Sequence, residues 1–202
     1  LGRVRLLRIW AADQVVAGYE RLLRGDLKAQ LEVYYKDYGA YPTRLFRPQA
    51  VLQPSGFDDA SADIPAGLEP LGSAGAGQSY GIELFVQKRL ATSPFYGFAS
   101  VSLNRTEFTA LDGLARSGSF ETRAIGNVLV GWRPNAKWEV SGKFRLASGL
   151  PYTPFITTGS DAGELEFSAY NSLRLPTFHA LDLRVDRRWA FSSVQLDLYL
   201  DV

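Results

Sequence analysis

The stretch Lys137 to Ala147, KWEVSGKFRLA, decides the fold. Trp138, Val140, Gly142, Phe144 and Leu146 fall on one side of an extended chain, and Lys137, Glu139, Ser141, Lys143, Arg145 and Ala147 on the other. Alternation with period two is the mark of a strand with one apolar and one polar face. The stretch is also long enough to cross a bilayer as a tilted strand, which takes about 9 to 11 residues.

Working outward, the same pattern recurs. Asp26–Tyr35 sets Leu27, Ala29, Leu31, Val33 and Tyr35 against Lys28, Gln30, Glu32 and Tyr34. Tyr80–Leu90 sets Tyr80, Ile82, Leu84 and Val86 against Glu83, Gln87 and Arg89, with Phe85 interrupting the polar side. Phe95–Arg105, His179–Trp189 and Val194–Val202 alternate similarly. Phe120–Arg133 is less regular, since Ile125 and Leu129 share the side of Glu121, Arg123, Asn127 and Arg133. Gln14–Leu22 alternates weakly and reads as a strand through its tight link at Arg24-Gly25. This makes about eight strands.

The connections alternate as well. Leu23–Gly25, Ala91–Pro94, Pro134–Ala136 and Ala190–Ser193 are tight, whereas Lys36–Ser79, Thr106–Ser119 and Ser148–Phe178 are long. In an antiparallel meander this puts every tight turn at one end and every long loop at the other, the arrangement of outer-membrane barrels. The first long connection is too extended for an ordinary link, and its glycines Gly72, Gly75 and Gly77 read as loop flexibility. Leu1–Ile9, LGRVRLLRI, reads as the end of a preceding strand. With Leu1 in place of a methionine, the chain reads as starting inside a longer protein.

Composition narrows the class. The chain has 202 residues, 46% of them hydrophobic and 13% aromatic, a net charge of +1, and no cysteine. Near-neutral charge gives nucleic-acid binding no support. Without cysteine there is no disulfide, thiolate zinc site or cysteine nucleophile. No apolar run reaches the roughly 18 to 20 residues of a membrane helix, so any crossing must use a closed sheet. A soluble β-barrel or sandwich binding domain remains the competing reading, because it alternates in the same way. Its strands are ordinarily shorter, about 5 to 6 residues.

Four motifs then resemble the C-terminal part of TonB-dependent outer-membrane receptors. They are EVYYKDYGAYP (Glu32–Pro42), YGIELFVQKR (Tyr80–Arg89), WEVSGKFRLASGLPYTP (Trp138–Pro154) and YNSLRLPTFHALDLRVDRRW (Tyr170–Trp189). The resemblance implies an all-β, antiparallel transmembrane β-barrel of about 22 strands, of which residues 1–202 supply about eight C-terminal ones. The plug domain, the TonB box and the final strands of that family have no counterpart here. It implies uptake of a scarce nutrient (iron chelate, vitamin, sugar or peptide) across the bacterial outer membrane, without enzymatic activity or a cofactor. Implied partners are outer-membrane lipid and lipopolysaccharide, the rest of the barrel and a plug, TonB through the absent N-terminal part, and an outer-membrane lipoprotein or other subunit, but no nucleic acid. A receptor-like barrel that scaffolds partners without uptake is the alternative.

The candidate residues follow from the faces. Lys28, Glu32, Glu83, Arg123, Glu139, Lys143, Arg145, Asp182, Arg184, Asp186 and Arg188 are expected to face the lumen, where opposite charges can pair. Tyr34, Tyr35, Tyr38, Tyr41, Trp138 and Trp189 are candidates for aromatic girdles at the membrane borders. Tyr152, in the proline-stiffened SGLPYTP turn, and Arg174 are candidates for the loop path of a substrate, and Arg174 for pairing with a carboxylate. The single histidine, His179, has no ligand-like neighbour on its own face and reads as a surface residue at a strand start rather than as a metal ligand.

Overall fold

The computed structural model describes residues 11–52 and 70–202. In chain order the strands are β1 (Ala11–Arg24), β2 (Leu27–Arg44), β3 (Leu71–Lys88), β4 (Phe95–Thr109), the short β5 (Ala115–Ser117), and β6 (Ala124–Trp132). Then come β7 (Trp138–Ala147), the short β8 (Pro151–Tyr152) and β9 (Leu173–Arg174), β10 (Phe178–Ala190) and β11 (Gln195–Asp201). The eight long strands form one antiparallel meander in the order β1-β2-β3-β4-β6-β7-β10-β11. Each long strand therefore pairs with the next long one in the chain, and β1 and β11 are the edges. β5 pairs with β4, and β8 with β9 in a separate two-stranded ribbon.

The register keeps the faces apart. Ala29, Val86, Ala99, Val128, Phe144 and Leu181 stand directly across from one another along six strands. One residue on, Lys28, Gln87, Phe98, Leu129, Lys143 and Asp182 form the neighbouring row on the other face. A slip by one residue in any pair would exchange the faces of that strand.

The usual inside-out relation of a water-soluble sheet is reversed. On β2 the apolar Leu31, Val33 and Tyr35 are exposed, while Glu32, Tyr34 and Lys36 between them are half-buried. On β10, Leu181 and Leu183 are 60% and 54% exposed, yet the side chain of Asp186 on the other face is only 13% exposed. A sheet coiled about its polar face gives this pattern, because side chains on the inside of the curve shield one another.

The only buried apolar cluster among the described residues lies at the long-connection end of the polar face. It comprises Val51, Phe108 and Ala110, with Tyr38 and Tyr41 packed against it. The Tyr41 and Phe108 rings are 4.7 Å apart, and those of Tyr38 and Phe108 5.6 Å.

Two expectations change. The stretch Gly72–Gly77 is not a flexible loop but the start of β3. Its glycines serve close approach: a Cβ on Gly77 would sit 2.4 Å from the Phe108 ring, and one on Gly75 2.7 Å from the Tyr41 carbonyl oxygen. β2 correspondingly runs on to Arg44, with irregular register between Tyr38 and Thr43, so the first long connection is shorter than the composition suggests. SGLPYTP is likewise more than a turn, since Pro151-Tyr152 is a strand of the ribbon. Leu1–Ile9 lies outside the described residues.

Candidate functional site

The polar face carries a lattice of ion pairs spanning several strands. Glu139 on β7 accepts from Arg133 Nε at 2.9 Å and Nη2 at 2.5 Å, and from Arg188 Nη2 of β10 at 3.2 Å. Tyr96 on β4 also donates its hydroxyl to Glu139, reaching across β6 to do so. Gly131 on β6 makes that reach possible, because a Cβ there would lie 2.1 Å from the Tyr96 ring. Arg184 binds Asp186 through Nε at 3.0 Å and Nη2 at 2.7 Å, Arg145 binds Asp182 at 3.1 Å, and Lys28 pairs with Glu20 at 2.6 Å. Lys143 stands across from Asp182, on the side away from Leu129.

Among the described residues, Glu32 and Glu83 are the exception to this pairing. They face each other directly across β2 and β3 and border a cavity of about 250 Å³ with Gln30, Phe85, Ser100 and Asn127. Ser102 Oγ donates to Glu83 at 3.3 Å. Like charges opposite each other are unfavourable, so this part of the face favours cationic or hydrogen-bond-donating neighbours.

At the long-connection end the residues build a second polar cluster. The Glu121 side chain is fully enclosed. It accepts from Arg174 and from the Thr106 N–H at 3.0 Å, and Arg123 Nε lies 3.4 Å away. Arg174 Nη1 also donates to the Glu121 and Gly149 carbonyls, both at 3.0 Å. Asn171, held at φ 54°, donates from Nδ2 to the Ser117 carbonyl at 2.8 Å and to Ser119 Oγ at 3.2 Å. Two connections distant in sequence are thereby tied together. Arg174 and Tyr152 share the β8–β9 ribbon, Tyr152 facing Leu173 and Pro151 facing Arg174. Nearby, Arg116 holds Asp112 in a two-pronged contact at 3.0 and 2.6 Å, and this hydrogen bonding keeps the Asp112 carboxyl below its ordinary range.

Sequence reading singled out Arg174 but missed Glu121. No local signal marks it, since its main partner is 53 positions away.

The apolar face has aromatic borders at both ends. At the tight-turn end Phe95 and Trp132 stack with centroids 6.4 Å apart, and Arg187 lies against Trp138 and Trp189, 4.6 and 4.8 Å from the ring centroids. At the other end Tyr35 and Tyr80 stand side by side. The next row on that face is polar, with Asp13, Asp37, Gln78 and Glu107 directly across from one another. From Phe95 to Leu103 the apolar band runs along the strand for about 27 Å at ~3.4 Å per residue. Tilted by about 40°, it is roughly 20 Å tall, near the ~25 Å of outer-membrane barrels.

Tyr38 and Tyr41 do not belong to either border. Both pack into the Phe108 cluster over the polar face, because β2 continues past Tyr35 and becomes irregular there. Tyr34 too lies on the polar face, its ring over Gly81. Conversely Phe95, Tyr80 and Trp132 border the apolar face without having been singled out. Their signal lay in register, which places Phe95 opposite Trp132 and Tyr80 opposite Tyr35. His179 faces Leu146 on the apolar side.

No protein-family model matches this chain, and no curated protein matches it either.

Proposed function

We propose that this chain is a sector of the wall of a bacterial outer-membrane β-barrel of the TonB-dependent receptor type, serving uptake of a scarce nutrient. The observation that carries the membrane reading is the reversal of faces. An exposed apolar band with aromatic borders suits lipid, and a partly shielded face of paired charges suits a wet interior. In water, an apolar sheet face of this extent would be an aggregation site.

The meander with tight turns at one end and long connections at the other fits the same orientation, tight turns toward the periplasm. No helix of the described residues is long and apolar enough to cross a membrane. In lipid the edges at β1 and β11 need partners, since unpaired strand edges do not occur there. Further strands of the barrel supply them in this reading. The transport reading adds the four receptor-like motifs to this geometry. Substrate contacts then fall to the long connections and the Glu32–Glu83 region, with plug and TonB provided by the rest of the receptor.

The test is uptake in a strain lacking the gene. Loss of energised uptake for one class of iron chelate, vitamin, sugar or peptide, restored by the full-length gene, is the expected result. Unchanged uptake of every class, with outer-membrane assembly perturbed instead, would replace transport by scaffolding.

A further inference from the structure

Arg187 is out of place by the logic of its own face. It stands opposite Trp138 on one side and Leu198 on the other, with Val185 and Trp189 two residues away along β10. Every other arginine of β10 lies on the polar face and reaches a carboxylate: Arg184 binds Asp186, and Arg188 binds Glu139. Arg187 reaches none among the described residues, and its Nε is buried without a hydrogen-bond partner. Two indoles hold its guanidinium instead, at 4.6 and 4.8 Å.

Cation–π contact occupies the flat face of a guanidinium and leaves its in-plane N–H groups free to donate to a further acceptor. An ion so placed at an apolar border favours an acceptor with negative charge. The position is the tight-turn border of the apolar band, where Arg188 N–H already meets the Lys137 carbonyl of the adjacent turn. In the membrane reading, on which this inference rests, that border lies at the depth of lipid headgroups. Guanidinium and phosphate match in charge and hydrogen-bond geometry.

We propose that Trp138, Arg187 and Trp189 form a binding site for the phosphate of an anionic phospholipid in the periplasm-facing leaflet. The indoles pre-orient the guanidinium, so little side-chain freedom is lost on binding, and their rings cover the upper acyl chain.

The test uses Trp quenching in vesicles with the full-length barrel, in which Trp10, Trp132 and any tryptophan outside these 202 residues are replaced by Phe, so that Trp138 and Trp189 report. Phosphatidylcholine vesicles receive equal low fractions of either phosphatidylglycerol or phosphatidylcholine brominated on the acyl chains. The expected result is a preference for brominated phosphatidylglycerol of about three- to tenfold, the scale of one charge-assisted hydrogen bond at an interface. Arg187→Gln should bring that preference to about one, and Arg187→Lys should retain part of it. Equal quenching by both lipids in the Arg187 protein would overturn the site while leaving the membrane reading intact. Abolition of the preference by millimolar inorganic phosphate would show an anion site without lipid specificity and would also overturn it. A preference that survives Arg187→Gln assigns the headgroup elsewhere. Quenching by neither lipid in the full-length barrel would remove the membrane reading along with the site.

Discussion

Glu121 and Arg174 show how much one buried pair can organise. A fully enclosed carboxylate with an arginine, a backbone N–H and two further guanidinium groups nearby is tolerable only while those partners remain. Removing one member of such a pair typically costs about 3–5 kcal/mol, because the other charge is stranded. The loss should be local, since the pair joins connections rather than long strands. Arg174→Ala is therefore expected to speed amide exchange at Gly118 and Glu121, whose N–H groups bond Thr106 and Gly118, by about a hundredfold. Exchange in the middle of β7 and β10 should stay unchanged, and an equal acceleration there would show a global role instead. Arg174 was legible in the sequence as a cation in search of a partner. The partner was not, because nothing in a linear chain marks two connections that fold onto each other.

At the scale of strands, the alternation of KWEVSGKFRLA gave the faces, and cross-strand pairing extended them to the neighbours. Glycine was the weak point. It looks the same in sequence whether it loosens a loop or admits a ring, and Gly77 and Gly131 do the latter. Gly131→Val should displace Tyr96, break its bond to Glu139 and cost about 1–3 kcal/mol, as overpacking does. A denaturant titration of folding into liposomes measures it, and a neutral result would mean that the ring moves without loss.

The two faces should also respond oppositely to charge. Leu183→Arg on the apolar face is expected to cost about 2–4 kcal/mol near mid-bilayer. Ser141→Arg on the polar face should fall within about 1 kcal/mol of the parent in the same assay. Equal costs would contradict the assignment of faces.

The tight turn after β1 adds a pH dependence. Lys88 donates to Asp26, and this hydrogen bond lowers the Asp26 carboxyl below its ordinary value. A depressed carboxyl contributes stability above the unfolded value, about 3.9, and loses it as pH falls through the folded one. The gap in melting midpoint between the parent and Asp26→Asn should be flat at neutral pH and close below about pH 4. A gap that widens on acidification would contradict this origin.

For the whole molecule, the central claim is that the apolar face of the meander meets lipid and the polar face meets water. Strand order and the alternation of short and long connections could be read from the sequence, since both follow from local periodicity and turn chemistry. Which face is the more shielded could not, because alternation is symmetric until the neighbouring strands are in place. These 202 residues hold no cysteine, so once any cysteine elsewhere in the barrel is replaced, single cysteines can be placed one at a time along Trp138–Ala147. Each carries a spin label in liposomes, and collision with oxygen and with a water-soluble nickel complex is measured at each position. High oxygen and low nickel accessibility are expected at Val140, Phe144 and Leu146, with the reverse at Glu139, Ser141, Lys143 and Arg145. Nickel accessibility without alternation, or lowest at the charged positions, would contradict the central claim.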